Sequence, residues 1–247
     1  MSRVLITGAT SGIGKSLAAT YLQKNDQVFA CGRNEQKLNQ LVVESQILGS
    51  TDNLHTLTFD ITKQEQIEQA LNNVDNLDIV ILNAGDCEYI DDALHFDNNL
   101  FARVINVNLV AIGHLIHHLL AKMNKGAQLV LVSSSVTLLP LPRAQAYGAS
   151  KAGLDYLANS LRLDLYEHDI GVTLVHPGFV KTPLTDKNDF AMPLMISSED
   201  AANRIYQGVK SKRSYLQFPK RFTYILRLMS MLPNSLWLKL ITQSTRR

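Results

Sequence analysis

The sequence predicts an α/β protein, a single domain built on a doubly wound parallel sheet, with an amphipathic helical extension at its C-terminus. Three observations carry this reading. Short apolar runs rich in Val, Ile and Leu recur at residues 4–7, 27–31, 54–59, 78–83, 127–133 and 171–176. Segments of helical periodicity separate them, at 13–24, 35–48, 63–74, 97–124 and 146–169. Strands apolar on both faces, joined by helix-length connections, belong in a parallel sheet covered by helices on each side. The third observation is size and composition. A chain of 247 residues, 46% hydrophobic and 19% charged, suits one such sheet and excludes a disordered polypeptide.

In sheets of this kind ligands sit beyond the carboxyl ends of the strands, so the residues after each run come under scrutiny in order. The first run leads into Thr7-Gly8-Ala9-Thr10-Ser11-Gly12-Ile13-Gly14 and then directly into a helical pattern. Glycines allow a tight turn and close approach of a pyrophosphate, and the helix N-terminus offers unpaired N–H groups and a positive dipole end. The spacing G-x-x-x-G-x-G departs from the commoner G-x-G-x-x-G fingerprint. An ordinary strand-to-helix turn rarely needs three glycines in seven residues. The second run ends in Cys31-Gly32-Arg33-Asn34, the fourth in Asn83-Ala84-Gly85, and the fifth in Ser133-Ser134-Ser135. The last long helix opens on Tyr147-Gly-Ala-Ser-Lys151. Four residues apart, Tyr147 and Lys151 share a helix face, where an ammonium group favours the phenolate and lowers its pKa. Such a pair, with a strand-end hydroxyl nearby, suits proton exchange with an oxygen that alternates between carbonyl and alcohol.

Taken together and in order, TGATSGIG, LNAG, a strand-end serine, YGASK and HPGFVKTP make the chain resemble the short-chain dehydrogenase/reductases over about residues 2–218. The resemblance implies a Rossmann-type fold and an enzyme acting on CH–OH or C=O groups of a small molecule. It implies that Ser134 polarises the substrate oxygen, Tyr147 exchanges its proton, and Lys151 holds the nicotinamide ribose. Asn108, within Asn106-Val-Asn-Leu, matches the family's helix asparagine that supports a relay water; Asn106 matches less well. Gly8, Ser11, Gly12, Ile13 and Gly14 would carry the pyrophosphate. Asp60 and Ile61 would border adenine, and Asn83, Ala84 and Gly85 its ribose. Pro177, Gly178, Val180 and Thr182 would hold the nicotinamide end.

Cofactor choice belongs at the end of the second strand, where a carboxylate would accept hydrogen bonds from a free ribose 2′-OH. None is present. Arg33, beside Asn34, is placed to meet a 2′-phosphate, which favours NADP(H), with NAD(H) as the alternative. One departure counts against it: many NADP-preferring relatives carry a basic residue just before the second glycine, where this chain has Ser11. Other readings are weaker. His114, His117 and His118 share a helix, but without the Glu of H-E-x-x-H no metal site is expected. Cys31 and Cys87 suggest neither disulfide nor zinc. A dinucleotide-binding regulator without turnover could dispense with Tyr147 and Lys151, and a sugar-nucleotide epimerase would need a longer C-terminal region. The long helices at 97–124 and 146–169, apolar on more than one face, predict a homodimer or homotetramer. No nucleic-acid partner is expected. The N-terminus lacks the apolar core of a signal peptide, so a cytoplasmic protein is expected.

Charge is unevenly distributed. The net charge is +2, but residues 201–247 contain ten Lys or Arg and no Asp or Glu, which leaves the first 200 residues at −8. The predicted boundary lies at 219, with a basic helical tail over 220–247. In it Phe222, Ile225, Leu226, Met229 and Leu232 follow helical spacing, with Lys220, Thr223, Arg227 and Ser230 opposite. Pro233-Asn234 breaks the pattern, and Leu236, Trp237, Leu240 and Ile241 form a second stripe with Lys239 on its polar side. Each helix is far shorter than the ~20 residues that span a bilayer. Two readings follow. The favoured one packs both stripes on the catalytic domain or a partner subunit, because amphipathic helices more often cover a core. The other gives peripheral contact with an anionic membrane, at its inner surface. In both, the apolar hairpin points to a hydrophobic carbonyl substrate.

Overall fold

The structure, a computed structural model, describes residues 1–47 and 51–245. The strands are β1 (Arg3–Thr7), β2 (Gln27–Gly32), β3 (Leu54–Thr58), β4 (Leu77–Leu82), β5 (Met123–Val132), β6 (Gly171–Pro177) and β7 (Tyr215–Phe218). They form one parallel sheet in the order β3-β2-β1-β4-β5-β6-β7. The chain winds outward from β1 in one direction and then from β4 in the other. The loops after β1 and β4 therefore part at the middle of the sheet and leave the crevice in which such folds bind ligands.

Helices cover both faces: α1 (Gly12–Leu22), α2 (Glu35–Ile47), α3 (Gln64–Leu71), α4 (Asn98–Ile105), α5 (Ala111–Leu119), α6 (Gln145–Asp164) and α7 (Ser198–Lys210). Alternation along each strand divides the core in two. Val4 and Ile6 face Leu17, Tyr21 and Ile205, while Leu5 between them faces the side of Ile112, Leu115 and Leu154. All of these are essentially fully buried.

The sequence reading misses α7 and β7. The buried side of α7 consists largely of small residues, Ala201, Ala202 and Gly208 beside Ile205 and Val209, so its periodicity is faint. Its N-terminus is nevertheless marked, since Ser197 Oγ accepts from Asp200 N at 3.1 Å. At four residues, β7 alternates in burial, Leu216 and Phe218 inward, as an edge strand does. Boundaries shift elsewhere. The run expected as one helix over 97–124 is α4, a π-helical turn at Asn106–Val110, α5 and a 3₁₀ turn at Leu120–Lys122. Residues 123 and 124, expected at its end, already belong to β5. The helix expected to reach 169 stops at Asp164, and that expected over 63–74 is only Gln64–Leu71. The expected helix end at residue 48 lies outside the described residues.

Asn98–Lys122 is long and apolar enough to cross a membrane by length and composition alone. Val104, Ala111, Ile112, Leu115 and Leu119 on it are nonetheless buried within this protein.

Two further helices, α8 (Lys220–Ser230) and α9 (Asn234–Thr245), stand where the two tail helices were expected, joined through the short turn at 231–233. Their faces differ from expectation. Thr223, assigned to the polar side, is fully buried, its hydroxyl donating to the Lys220 carbonyl at 3.1 Å, and Leu226 is buried beside it. Ile225, assigned to the apolar stripe, is 52% exposed. The inward face is rotated by about a residue because the ring of Phe222 seats against Phe179 and Gly178.

Candidate active site

The crevice is a cleft of about 470 Å³ running across the carboxyl ends of the strands. At its centre the turn after β1 presents Gly8, Ser11, Gly12 and Ile13. Gly12 takes φ +52°, and a Cβ there would lie 2.8 Å from Thr182 Cγ2, so a side chain is excluded by both backbone and space. Ser11 sits at the N-cap of α1 without a side-chain cap bond. The first N–H groups of that helix are thus left for a ligand, as a phosphate cradle requires. The turn is held from below by β4: Asn83 Nδ2 donates to the Thr7 carbonyl at 3.0 Å, and Thr7 Oγ1 accepts from Asn83 N and Ala84 N at 3.0 and 3.1 Å. Thr7, fully buried, is a supporting residue that the sequence reading passed over.

At one end the cleft is lined by Arg33, Lys37, Asp60, Ile61 and Thr62. Arg33 and Lys37 are exposed and give this end two cations. Lys37 was not anticipated, although its place one turn into α2 from Arg33 could have signalled it. Asp60 turns toward its own loop, its Oδ1 accepting from Thr62 N and Oγ1 at 2.9 and 2.8 Å. Burial raises its pKa, but these bonds, with Arg33 and Lys63, hold the carboxyl below its ordinary value.

At the other end Ser134, Tyr147 and Lys151 converge. Ser134 follows β5, while Tyr147 and Lys151 lie on the first turns of α6, which packs against β6 and the Ser135–Leu138 turn. Burial raises the Tyr147 pKa, as does Cys87, and only a hydrogen bond with Ser134 works in the other direction. The phenol is therefore protonated near neutrality. Lys151 Nζ donates to the Val132 carbonyl at 2.9 Å and stands 5.9 Å from the Tyr147 ring centroid. Burial lowers its pKa to about 8. The depression of the phenol pKa expected from four-residue spacing is thus outweighed by desolvation, since the ammonium group is directed at the strand.

Asn108 lies behind this site, fully buried in the π-helical turn. Its Oδ1 accepts from Asp86 N at 2.8 Å, and its Nδ2 donates to Asp86 O at 2.8 Å and Ser150 Oγ at 3.0 Å. Widening the helix by one residue presents this amide inward, as π turns at functional sites do.

Most residues singled out from the sequence meet here: Gly8, Ser11, Gly12, Ile13, Arg33, Asp60, Ile61, Asn83, Ala84, Gly85, Ser134, Tyr147, Lys151, Pro177, Gly178, Val180 and Thr182 all line the cleft. Three do not. Gly14 lies beneath the turn, where a Cβ would strike the Gly8 carbonyl. Asn34 points away and its Oδ1 accepts from Lys37 N at 2.9 Å. Asn108 acts from behind the loop. Among the described residues, no cluster of three metal-ligating side chains occurs.

A second hollow, of about 460 Å³, adjoins the catalytic end and shares Asp86 and Lys187 with the cleft. Cys87, Tyr89, Leu100 and Arg143 line it. From Tyr89 a chain of aromatic contacts runs through Phe190 and Phe179 to Phe222 of α8, at centroid separations of 5.6, 6.1 and 5.3 Å. Arg143 bridges Asp91 at 2.6 Å and Asp189 at 2.8 Å, tying the loop after β4 to that after β6.

Comparison with known proteins agrees with this geometry. The family model described as short chain dehydrogenase matches residues 2–192. An uncharacterized oxidoreductase of Myxococcus xanthus (strain DK1622) is 32% identical over 238 residues, covering 94% of this chain and 93% of that protein. Among solved structures, a short-chain dehydrogenase/reductase from Burkholderia phymatum in complex with NAD superposes with a TM-score of 0.82 at 21% identity, covering 92% of each chain. A short-chain dehydrogenase from Sphingobium yanoikuyae in complex with NADPH gives 0.79 at 22%, covering 95% of this chain and 97% of that one. The chain belongs to the short-chain dehydrogenase/reductase family, and is an oxidoreductase of the class acting on CH–OH and C=O groups.

Proposed function

We propose that this protein moves hydride between NADP(H) and the carbonyl or alcohol of a hydrophobic small molecule, with Tyr147 as the acid/base. The observation that carries the reading is one cleft with a glycine-lined helix N-terminus at its middle and a Ser134–Tyr147 hydroxyl pair at one end. The dinucleotide, when bound, supplies or accepts the hydride at its nicotinamide ring. Gly8, Ser11, Gly12 and Ile13 cradle its pyrophosphate, and Asp60, Ile61, Asn83, Ala84 and Gly85 border its adenosine. Pro177, Gly178, Val180 and Thr182 hold the nicotinamide end. Ser134 donates to the substrate oxygen and Tyr147, held protonated, gives it a proton in the reductive direction. Lys151, which lines the cleft, would hold the nicotinamide ribose with the donors that the Val132 carbonyl leaves free, and Asn108 fixes the loop behind it.

The preference for NADP(H) over NAD(H) rests on the absence of a carboxylate after β2 and the presence of Arg33 and Lys37 at that end of the cleft. The hydrophobic substrate rests on the aromatic chain from Tyr89 to Phe222. Residues 1–219 form the catalytic unit, and the tail that begins at 220 packs on it through α8 and Trp237. A homodimer or homotetramer pairs the α4–α5 and α6 helices, on which Val110, Tyr156 and Leu163 stand exposed. Aldehydes, ketones and alcohols of graded hydrophobicity, assayed with NADPH, NADH and their oxidised forms, test the proposal. Turnover is expected with apolar carbonyls and NADPH. Dinucleotide binding with no turnover across the panel would make the protein a regulator instead.

A further inference from the structure

The hairpin keeps an apolar face after it has packed. On α8, Phe222, Thr223, Leu226 and Met229 turn inward. Opposite them Tyr224, Leu228 and Met231 follow i, i+4, i+7 spacing with Ile225 beside Leu228, and their exposures are 56%, 70%, 81% and 52%. On α9, Trp237 Nε1 donates to the Pro140 carbonyl at 3.0 Å, and Leu236, Leu238 and Leu240 stay 43%, 62% and 44% exposed. Lys220, Arg221 and Lys239 stand exposed among them, and among the described residues none of the three is in an ion pair, while Arg227 lies over the Tyr215 ring at 5.1 Å. No acidic residue occurs from 201 to 247.

We propose that the outward face of the α8–α9 hairpin docks on an anionic lipid surface. Charge complementarity selects this occupant. A surface that is cationic throughout meets a uniformly negative one without a like-charge contact. The mixing of side chains points the same way. Protein interfaces place an apolar centre inside a polar rim, whereas here Arg221 shares the helix face of Tyr224, Ile225 and Leu228. At a headgroup layer the apolar groups enter the acyl boundary while Lys and Arg extend back to phosphates. A second copy of the chain fits poorly, because a two-fold contact would set the basic hairpin against itself. With 11 and 12 residues, neither helix spans a bilayer, so contact is peripheral. The inward side of the same hairpin adjoins the site: Trp237 reaches Pro140, which follows the Ser135–Leu138 turn, and Phe222 ends the aromatic chain that begins at Tyr89. An apolar substrate would thus pass from lipid to cleft over a short path.

Sedimentation of the full chain with vesicles tests this, using phosphatidylcholine alone against an equal mixture with phosphatidylglycerol. The expected result is at least tenfold more protein bound to the anionic vesicles, most of it released by 0.5 M NaCl. Leu228→Glu combined with Met231→Glu should abolish binding while leaving the melting temperature and NADPH fluorescence titration unchanged, since both side chains point outward. Should that variant fail to fold, Lys220→Gln, Arg221→Gln and Lys239→Gln together should reduce anionic binding tenfold or more. Binding to neither vesicle, or equally to both, overturns the proposal. So does a mass by light scattering that halves in Leu228→Glu/Met231→Glu, which would assign the face to a second copy. Vesicle binding is independent of turnover, so its failure leaves the catalytic reading untouched.

Discussion

Asn108 and Asp86 are bonded in both directions: the asparagine amide oxygen accepts from Asp86 N and its nitrogen donates to Asp86 O, each at 2.8 Å. A side chain on the helix layer thereby closes the backbone of the loop after β4 as a partner strand would. The same loop carries Cys87, whose thiol pKa is raised chiefly by burial and which is bonded to Tyr89, and Cys87 in turn raises the pKa of the Tyr147 phenol. Asp86 of this loop and Tyr147 line the same cleft, so the amide helps to fix the wall beside the proposed acid.

Asn108→Leu should damage the enzyme through position rather than chemistry. The variant fills the volume but leaves both polar groups of Asp86 unpaired, each costing about 1–3 kcal/mol when buried. A fall in urea midpoint together with a fall in kcat is expected. An unchanged midpoint would show that the loop does not depend on this amide.

Tyr147→Phe removes the transferable proton and little of the binding surface. General acid–base catalysis contributes roughly 10²–10⁴-fold, so kcat should fall by at least that much while the NADPH dissociation constant stays within a few fold. Stopped-flow turnover and fluorescence titration separate the two. Near-normal turnover would remove Tyr147 from the acid/base role.

Arg33→Ala should weaken NADPH and spare NADH, because only NADPH carries the 2′-phosphate. A charge-assisted hydrogen bond is worth about 1.5–3 kcal/mol, roughly 10- to 150-fold in affinity. Lys37, on the same stretch of cleft, should hold the single variant to the lower end of that range and Arg33→Ala/Lys37→Ala to the upper. Equal losses for the two dinucleotides would contradict the assignment.

Gly12→Val tests the cradle without touching a charged group. The residue holds φ +52° and its Cβ would meet Thr182, so a side chain must displace either the turn or the loop after β6. Binding of both dinucleotides should be lost together, with the sheet's far-UV circular dichroism retained.

Lys151 makes a pH prediction whose sign follows from its environment. Burial lowers its pKa from 10.5 to about 8, so between these values the unfolded chain binds the proton that the folded chain has released. Its burial penalty is fully present below pH 8 and fades as pH rises toward 10.5. The stability of the unliganded enzyme relative to Lys151→Met should therefore rise across that window, by an amount on the order of 3 kcal/mol. Denaturation curves of the pair at pH 7, 8.5 and 10 measure it, and a flat difference would place the ammonium group in water.

The cleft was legible in the sequence because its chemistry is local. Gly8, Gly12 and Gly14 declare a turn through their missing side chains, and Tyr147 and Lys151 share a helix face by spacing alone. Six of the seven strands showed themselves as apolar runs, since a strand buried on both faces needs no partner to explain its composition. What escaped depends on residues remote in the chain. The four residues of β7 became a strand by lying beside β6, and α7 is an element whose buried face is small because α1 packs close against it. The π turn at Asn106–Val110 has no signature of its own; it is the geometry that brings the Asn108 amide to Asp86. Burial decided the Tyr147 phenol, which spacing to Lys151 alone would have set lower, because the ammonium group found the Val132 carbonyl instead. The hairpin divides the same way: its composition marked two basic, amphipathic helices, but only the seating of Phe222 against Gly178 determined that Thr223 turns inward and Ile225 outward. A residue's type is set by the chain, while the free energy of its charge or apolar surface is set by what tertiary packing places around it.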